Sequence, residues 1–514
     1  MQSFTSQAAR WFKRLDWFDW LVGLAVSVGA FLRLYNLDRA LQFLGDQGRD
    51  ALVVARMFKE LDPVFIGPVT SVGNMYLGPV YYYFMAPFLW MTYPSPLGPQ
   101  YAVALLSILT IWLVWRLGQK LIGREPAAIA TLVYALSHLV VTHSRFSWNP
   151  NPVPLVSLLM LYSVFEAQKG KNQYWIWAAV CFAILLQLHY VAGVTALAAG
   201  MVWLYRLLTI RVKSKQVISL LVYTALAIGV VAASFVPLIL FDYKHGWINM
   251  SAFTRLVSSE DNFAHLNDNS ILPKIAQALQ ESHGRSMHIL FEPYIGKVRW
   301  LNTVLVGLVF VALGWLLSGV RRVKTLRRAP GLPVIIVWLL AGIVGTSLYQ
   351  HSVFDHYLGF VYPVTAFIYG VVLWFLWSTH SLGKAVTVVF LVGYIWFNMT
   401  HMRLKDAGLT IYEMERISET IAERVPSETL YNIVLFSHSH DLYGMNYRYF
   451  LDSMTESLVR EHNWTEAEIL FVIDEERTGR DVLSAPVHEI VTFPTKQPSE
   501  VFEVEGVQII VLER

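Results

Sequence analysis

The chain has 514 residues, of which 55% are hydrophobic and only 15% are charged, and its mean hydropathy is +0.45. A soluble domain carries about 25% charged residues, so this composition excludes an ordinary soluble protein and predicts a polytopic membrane protein. The formal net charge of +3 says little as a total, and the single cysteine, Cys181, excludes an intrachain disulfide.

Eleven apolar segments predict membrane spans. The first, 17–34, follows a short basic N-terminus and has no small-residue cleavage site after it, so we expect it to be retained as a span. Several of the others are shorter than the usual 20 residues, which leaves their ends open. They are 100–117, 127–142, 153–165, 174–188, 191–205, 217–240, 301–317, 333–348, 357–377 and 385–397.

The orientation of these spans depends on segment 78–90, which is apolar but only about a dozen residues long, a length that favours an interfacial or re-entrant helix. If it does not cross, the basic connections all lie on the cytoplasmic side with the N-terminus, as the positive-inside rule requires. We therefore predict a multi-pass protein of the cytoplasmic membrane with its C-terminus outside. The outer pieces are then loop 35–99, turn 142–152, loop 241–299 and everything after 398.

The last outer piece, residues 401–514, predicts a small soluble α/β domain outside the membrane, separate from a transmembrane domain over residues 1–400. A helix is expected at 411–424, and four apolar runs are typical of strands. About 110 residues is a usual size for one domain. The predicted strands are 432–436, 468–473, 488–492 and 507–512.

Outer loop 35–99 carries acids directly beside the membrane. Asp46 and Asp50 are four residues apart, which places both carboxylates on one helical face if the helix begins at Gly45. A carboxylate there can act as general base towards an acceptor hydroxyl, when the donor is a lipid whose head group lies at the interface. The alternatives are that Asp46 only caps the helix, and that Arg49 only pairs with Asp50 at the surface.

Four stretches, taken in order, resemble a known family. They are Asp46-Gln47 after the first span, then residues 76–83, 116–123 and 144–151. Their order is similar to that of the protein O-mannosyltransferase-like glycosyltransferases (family 39), which include the bacterial aminoarabinose transferases of lipid A. The resemblance covers about residues 17–380. It implies the GT-C fold, here an all-α polytopic membrane protein with a small C-terminal α/β domain, and a polyprenyl-phosphate sugar donor.

Carried over position by position, the resemblance implies that Asp46 is the catalytic acid. The family's second acid in this motif appears here as Gln47, its His-Pro-Pro-Leu-Tyr pattern ends at Tyr81, and the acid after the arginine of the second outer turn appears as Asn151. Because both accessory acids are amides, we expect no metal at this site and no cofactor. The expected accessory or acceptor-binding residues are Gln47, Arg49, Asp50, Tyr81 and Asn151.

The leaving phosphate of the donor needs cationic or hydrogen-bonding partners. Arg145 lies at the outer end of a span and can pair with a phosphate bidentately, although snorkelling to lipid phosphates is equally consistent with its position. Farther along, His438-Ser439-His440-Asp441 could hold zinc, but strand-end loops gather such residues and the simpler interpretation is favoured. The remaining candidates for the donor phosphate are His189, Arg255, His356 and Tyr357.

The leading hypothesis is an inverting transfer of one sugar from a polyprenyl-phosphate donor to an unidentified lipid, glycan or protein acceptor on the outer face. Expected partners are the donor, the acceptor and membrane lipids, with no nucleic acid. A flippase or transporter of lipid-linked sugars would favour charged residues within the spans and two related halves. The sequence has few charges within the spans and no evident internal repeat. A catalytically inactive GT-C-like binding protein is the third interpretation, because the accessory acids are missing.

Overall fold

A computed structural model describes residues 16–40, 43–70, 75–210, 215–258, 271–295, 329–348, 353–405, 408–438, 441–460, 463–476 and 482–514. The predicted span 301–317 and His440 lie outside the described residues.

Most of the described chain is helical. In order, the helices of the first 258 residues are α1 (Trp17–Leu34), α2 (Gly45–Lys59), α3 (Val80–Thr92), α4 (Leu97–Leu121), α5 (Arg124–Leu136), α6 (His138–His143), α7 (Val153–Gln168), α8 (Tyr174–Leu188), α9 (Thr195–Thr209), α10 (Lys215–Ser234), α11 (Val236–Lys244) and α12 (Ile248–Ser258). They are followed by α13 (Ile271–Leu290), α14 (Glu292–Ile295), α15 (Leu332–Ser347), α16 (Tyr362–Thr379) and α17 (Ser381–Thr400), with 3-10 helices at Tyr190–Val194 and Asp355–Val361.

Six segments in the described part of the chain are long and apolar enough to cross a membrane, and three shorter apolar helices accompany them. Two predicted spans are interrupted: 127–142 breaks between α5 and α6, and 217–240 breaks between α10 and α11, where a proline stands in the first turn of α11. The count of eleven spans stays a prediction. The six long segments are Trp17–Leu34, Leu97–Leu121, Tyr190–Thr209, Lys215–Ser234, Asp355–Thr379 and Ser381–Thr400.

Small residues hold the transmembrane helices close together. Helix α5 packs against α1, α4 and α16, and a side chain at Gly370 of α16 would meet the carbonyl oxygen of Pro126 at 2.3 Å. Ala127, Ala128 and Ala130 of α5 are fully buried at this contact. Since lipid offers no hydrophobic advantage to packed helices, such close backbone approach is what favours their association.

Helix α3 corresponds to the doubtful segment 78–90. Its 13 residues span only about 20 Å at 1.5 Å each, less than the apolar thickness of a bilayer. Tyr82 points from it into the protein rather than outward, and its ring is buried. The length agrees with a helix that does not cross.

Cysteine labelling tests this topology. In a Cys181→Ala background, Cys residues placed at the exposed positions Lys120 and Glu423 should react from opposite sides of the membrane, because the predicted topology separates them by an odd number of spans. An impermeant maleimide added outside should label position 423 alone. Labelling of both positions from outside would overturn the eleven-span topology.

The C-terminal region contains helix α18 (Ile411–Arg424), then β1 (Tyr431–Phe436), α19 (Met445–Met454), β2 (Ile469–Asp474), α20 (His488–Thr492), β3 (Glu500–Val504) and β4 (Val507–Glu513). The strands form one sheet in the order β1-β2-β4-β3. Strands β1 and β2 are parallel and are connected through α19, whereas β4 is antiparallel to both β2 and β3. The predicted α/β composition is therefore observed.

One predicted strand is wrong and another was missed. Residues 488–492 form the short helix α20, in which only Ile490 is buried, so the run does not have the two-sided burial of an inner strand. The fourth strand is instead β3, which pairs with β4 at the edge of the sheet and leaves Glu500 and Val501 exposed. Its two glutamates and its partly exposed apolar residues concealed it, because an edge strand is covered less completely than an inner one.

This C-terminal region packs on the segment between α1 and α4. Helix α19 packs against α2, and a side chain at Gly48 of α2 would meet the backbone of Asn446 at 2.4 Å. Arg56 and Lys59 of α2 both pair with Asp452 of α19, at 2.9 and 3.2 Å. The C-terminal region thus packs against the helix that carries the predicted site.

Candidate active site

Helix α2 begins where the sequence predicted, but its cap is different. The Leu44 amide donates to the Gln47 side-chain oxygen at 3.0 Å, so Gln47 satisfies the start of the helix and is itself buried. Asp46 is not the N-cap, and its carboxylate bonds to Arg49 one turn later. The capping role that the sequence left open for Asp46 is therefore taken by Leu44, as the N-cap residue, and by the Gln47 side chain.

Three charged side chains of α2 form one connected group. The Arg49 guanidinium donates to Asp46 Oδ1 at 2.8 Å and, through a second nitrogen, to Asp50 Oδ1 at 2.8 Å. The Tyr82 hydroxyl of α3 also donates to Asp50 Oδ1, at 3.1 Å. Asp46 remains 48% exposed whereas Asp50 is fully buried, so only Asp46 is accessible to a substrate.

Burial and charge pairing act in opposite directions in this group. Burial raises the pKa of Asp50 to about 6, against the opposing effect of the neighbouring Arg49 charge. Burial alone would lower the pKa of Arg49, but the Asp50 and Asp46 carboxylates outweigh it and the pKa is raised. The second oxygen of Asp50, Oδ2, makes no hydrogen bond with any described residue. Arg49 is thus always charged, and Asp50 is the member that titrates near neutral pH.

Asp46 opens into a cavity of about 580 Å³ between the transmembrane and C-terminal domains. One wall of the cavity is formed by α2. A second wall is aromatic and consists of Phe146 and Trp148, from the turn between α6 and α7. A cavity of this size, with few polar groups among apolar walls, is typical of a small-molecule site. The lining residues are Leu44, Gly45, Asp46, Gln47, Arg49, Val69, Phe146, Trp148, Asp441, Tyr443 and Met445.

The third wall comes from the C-terminal domain and was missed by the sequence analysis. Asp441 lies so close to Gly45 that a side chain at Gly45 would meet its Oδ2 at 2.4 Å, and that oxygen accepts from the Met445 amide at 2.8 Å. Burial and the nearby Asp46 charge help to raise the pKa of Asp441. Its place directly after the β1 loop was the available signal, because functional residues often follow strands.

Other predicted residues lie under or beside the cavity. The Tyr81 hydroxyl is buried and hydrogen-bonds the Ser147 hydroxyl at 2.7 Å, and Asn151 donates to the Phe146 carbonyl at 2.7 Å. Both therefore support the turn that carries the aromatic wall. Arg145 is only 4% exposed and donates to the Leu32 carbonyl at 2.7 Å, so it ties this turn to the end of α1 and does not line the cavity.

Three candidates for the donor phosphate come together behind the aromatic wall. The His189 and Tyr357 rings are 4.6 Å apart, and the His356 ring lies 4.5 Å from Tyr357 and 4.4 Å from Trp148. Trp148 therefore connects this cluster to the cavity. Arg255 is exposed on α12 and does not line the cavity.

Metal-ligating side chains converge away from Asp46. Among the described residues, the group of three that can hold an ion is His288, Glu292 and Asp355, with ligand atoms within 4.8 Å of one another. No such group forms around Asp46 within the described chain. The expectation of no metal at the Asp46 site stays a prediction.

Part of this chain is similar in sequence to a known family, and its fold is similar to that of solved structures. Residues 77–239 match the family model for dolichyl-phosphate-mannose-protein mannosyltransferases. The structure is similar to that of ArnT from Cupriavidus metallidurans bound to undecaprenyl phosphate, with a TM-score of 0.56, 15% identity, and coverage of 95% of this chain and 97% of that one. The comparison with curated protein sequences gives no match.

A second solved structure agrees in fold. Archaeal oligosaccharyltransferase AglB from Archaeoglobus fulgidus, in complex with an inhibitory peptide and a dolichol-phosphate, has a TM-score of 0.52 and 12% identity, covering 90% of this chain and 70% of that one. The resemblance seen in the sequence is thereby confirmed. The family match covers residues 77–239, and both solved structures share the fold of this chain.

Proposed function

We propose that this GT-C-like chain transfers a sugar from a polyprenyl-phosphate donor to an acceptor hydroxyl held in the cavity above α2, with Asp46 as general base. The observation that carries the proposal is the accessible Asp46 carboxylate, which opens into a 580 Å³ cavity while its neighbour Asp50 is buried. ArnT, bound to undecaprenyl phosphate, and AglB, in complex with a dolichol-phosphate, share this fold, which supports a lipid-linked donor.

The reaction is a single displacement. Asp46 accepts the proton of the acceptor hydroxyl, whose oxygen attacks the anomeric carbon as the bond from that carbon to the phosphate oxygen breaks. The polyprenyl phosphate leaves with the bonding electrons, and the configuration at the anomeric carbon inverts. Arg49 holds Asp46 in place, since a bond at 2.8 Å fixes the carboxylate on the side facing the cavity.

The donor phosphate is proposed to lie behind the aromatic wall, near His189, His356 and Tyr357. Trp148 borders both this cluster and the cavity, so a phosphate there can place its sugar beside Asp46. Arg145 stabilises the turn that carries Trp148 by donating to the Leu32 carbonyl of α1. On this arrangement, Arg145→Ala lowers both stability and transfer, because it leaves a buried carbonyl without its donor.

Glycan analysis tests the function directly. Mass spectrometry of lipid-linked sugars and envelope glycans, with and without this protein in its own organism, should show one sugar missing from an envelope component and its lipid-linked form accumulating. The Asp46→Asn variant should reproduce the deletion, whereas Asp62→Asn, which changes an exposed acid beyond the end of α2, should restore the normal pattern. Identical glycans in all four strains would exclude sugar transfer.

The pH dependence of transfer should depend on Asp50. As pH falls through about 6, the Asp50 carboxyl takes up a proton, so Arg49 is left with Asp46 as its anionic partner and competes more strongly with the acceptor hydroxyl for that carboxylate. Transfer should therefore decline on the acidic side of pH 6. Asp50→Asn, neutral at every pH, should be several-fold slower at pH 7.5 and should lack this acidic decline. An unchanged profile in the variant would assign the decline to another group.

A further inference from the structure

We propose a second site in this protein, a divalent-metal site formed by His288, Glu292 and Asp355, which takes an ion of the zinc class. It is independent of the proposed sugar transfer, because none of its three residues lines the cavity above α2. The three side chains come from separate elements: the end of α13, the start of α14 and the start of the 3-10 helix Asp355–Val361.

The geometry fits a single bound ion. His288 Nε2 lies 2.8 Å from Asp355 Oδ1 and 3.4 Å from Glu292 Oε2, and all three ligand atoms are within 4.8 Å of one another. Zinc binds imidazole nitrogen and carboxylate oxygen at about 2.0–2.2 Å in tetrahedral geometry, which separates neighbouring ligand atoms by about 3.4 Å. Only small side-chain adjustments are therefore needed to place an ion between them.

The ligand chemistry favours an ion of the zinc class. Two carboxylates meet one imidazole nitrogen at this site. One nitrogen and two oxygens with a fourth position for water is a ligand set that zinc accepts, whereas magnesium and calcium prefer oxygen alone.

The location gives this site a mechanical role. His288 and Glu292 lie at the end of the long outer loop, and Asp355 begins the segment that continues into α16. Helix α13 packs against α15 and the 3-10 helix, so an ion would pin the outer loop to the outer end of the membrane domain. His356, the next residue along the chain, belongs to the ring cluster beside Trp148.

Metal content of the purified full-length chain tests the proposal. After incubation with Zn²⁺ and removal of unbound ion, we expect the His288→Ala variant to carry one zinc per chain fewer than the unaltered protein. The matched control is His283→Ala, an exposed histidine on the same helix, which should retain the full content. Equal zinc in the unaltered and His288→Ala proteins, or an equal loss in both histidine variants, would overturn the site.

A second measurement separates loss of metal from loss of fold. Zn²⁺ should raise the Tm of the unaltered chain and of His283→Ala, but not that of His288→Ala, because an ion that binds only the folded chain stabilises it by mass action. Asp355→Asn should weaken the zinc-dependent rise. Similar zinc-dependent rises in all variants would contradict the proposal. Neither readout uses a sugar substrate, so a negative result here leaves the proposed transfer untouched.

Discussion

Replacing Asp46 by Asn should reduce sugar transfer by about 10²–10⁴-fold, the usual contribution of a general base. The amide cannot take the acceptor proton, yet it keeps the size of the side chain and can still accept a hydrogen bond from Arg49. Because Asp46 is 48% exposed, the variant should insert and fold normally. Turnover of lipid-linked donor by the purified variant, compared with that by the unaltered chain, measures the effect.

The control for this loss is Asp62→Asn, which removes an exposed acid outside the cavity and should leave turnover unchanged. Unaltered donor affinity in Asp46→Asn would show that the loss lies in the chemical step. If Asp46→Asn retained near-normal turnover with purified donor, the assignment of Asp46 as base would be wrong.

The second large effect is expected from Gly48→Leu. A side chain at Gly48 would meet the backbone of Asn446 and Met445 at 2.4–2.5 Å, and backbone cannot yield as a flexible side chain does. Overpacking of this kind costs about 1–3 kcal/mol or more, whereas each partly exposed ion pair between α2 and α19 contributes about 0–1 kcal/mol. The C-terminal domain should therefore separate from α2, and transfer should fall at least ~10-fold as the cavity loses one wall.

Limited proteolysis and a transfer assay measure this separation. Gly48→Leu should be cut faster in the C-terminal region, because separation uncovers the surface that α19 buries against α2. Gly393→Leu on α17 is the matched control, since a side chain there meets nothing within 4 Å. Full transfer with normal protease resistance in Gly48→Leu would show that the domain contact does not form the site.

Several features could be predicted from local sequence because their causes are local. Long apolar runs need no partner to be recognised, so Trp17–Leu34 and Tyr174–Leu188 were predicted with the bounds that the structure has. The start of α2 at Gly45 and the position of Asp46 followed from spacing within one helix. Strands β1, β2 and β4 were likewise evident from buried apolar runs, whereas the half-exposed edge strand β3 was not.

Features that depend on contacts between distant segments could be identified only from the tertiary structure. In sequence, Asp46 and Asp50 are both close to Arg49, and only the packing of α3, with Tyr82 on Asp50, buries one and leaves the other facing the cavity. Asp441 lies almost 400 positions from Asp46, so no local pattern could assign it to the same cavity. The local sequence determined where most of the helices lie and that Asp46 and Asp50 are both on α2. The tertiary structure decided which acid is accessible and which domain completes its site, because burial and proximity belong to the packed chain rather than to any one segment.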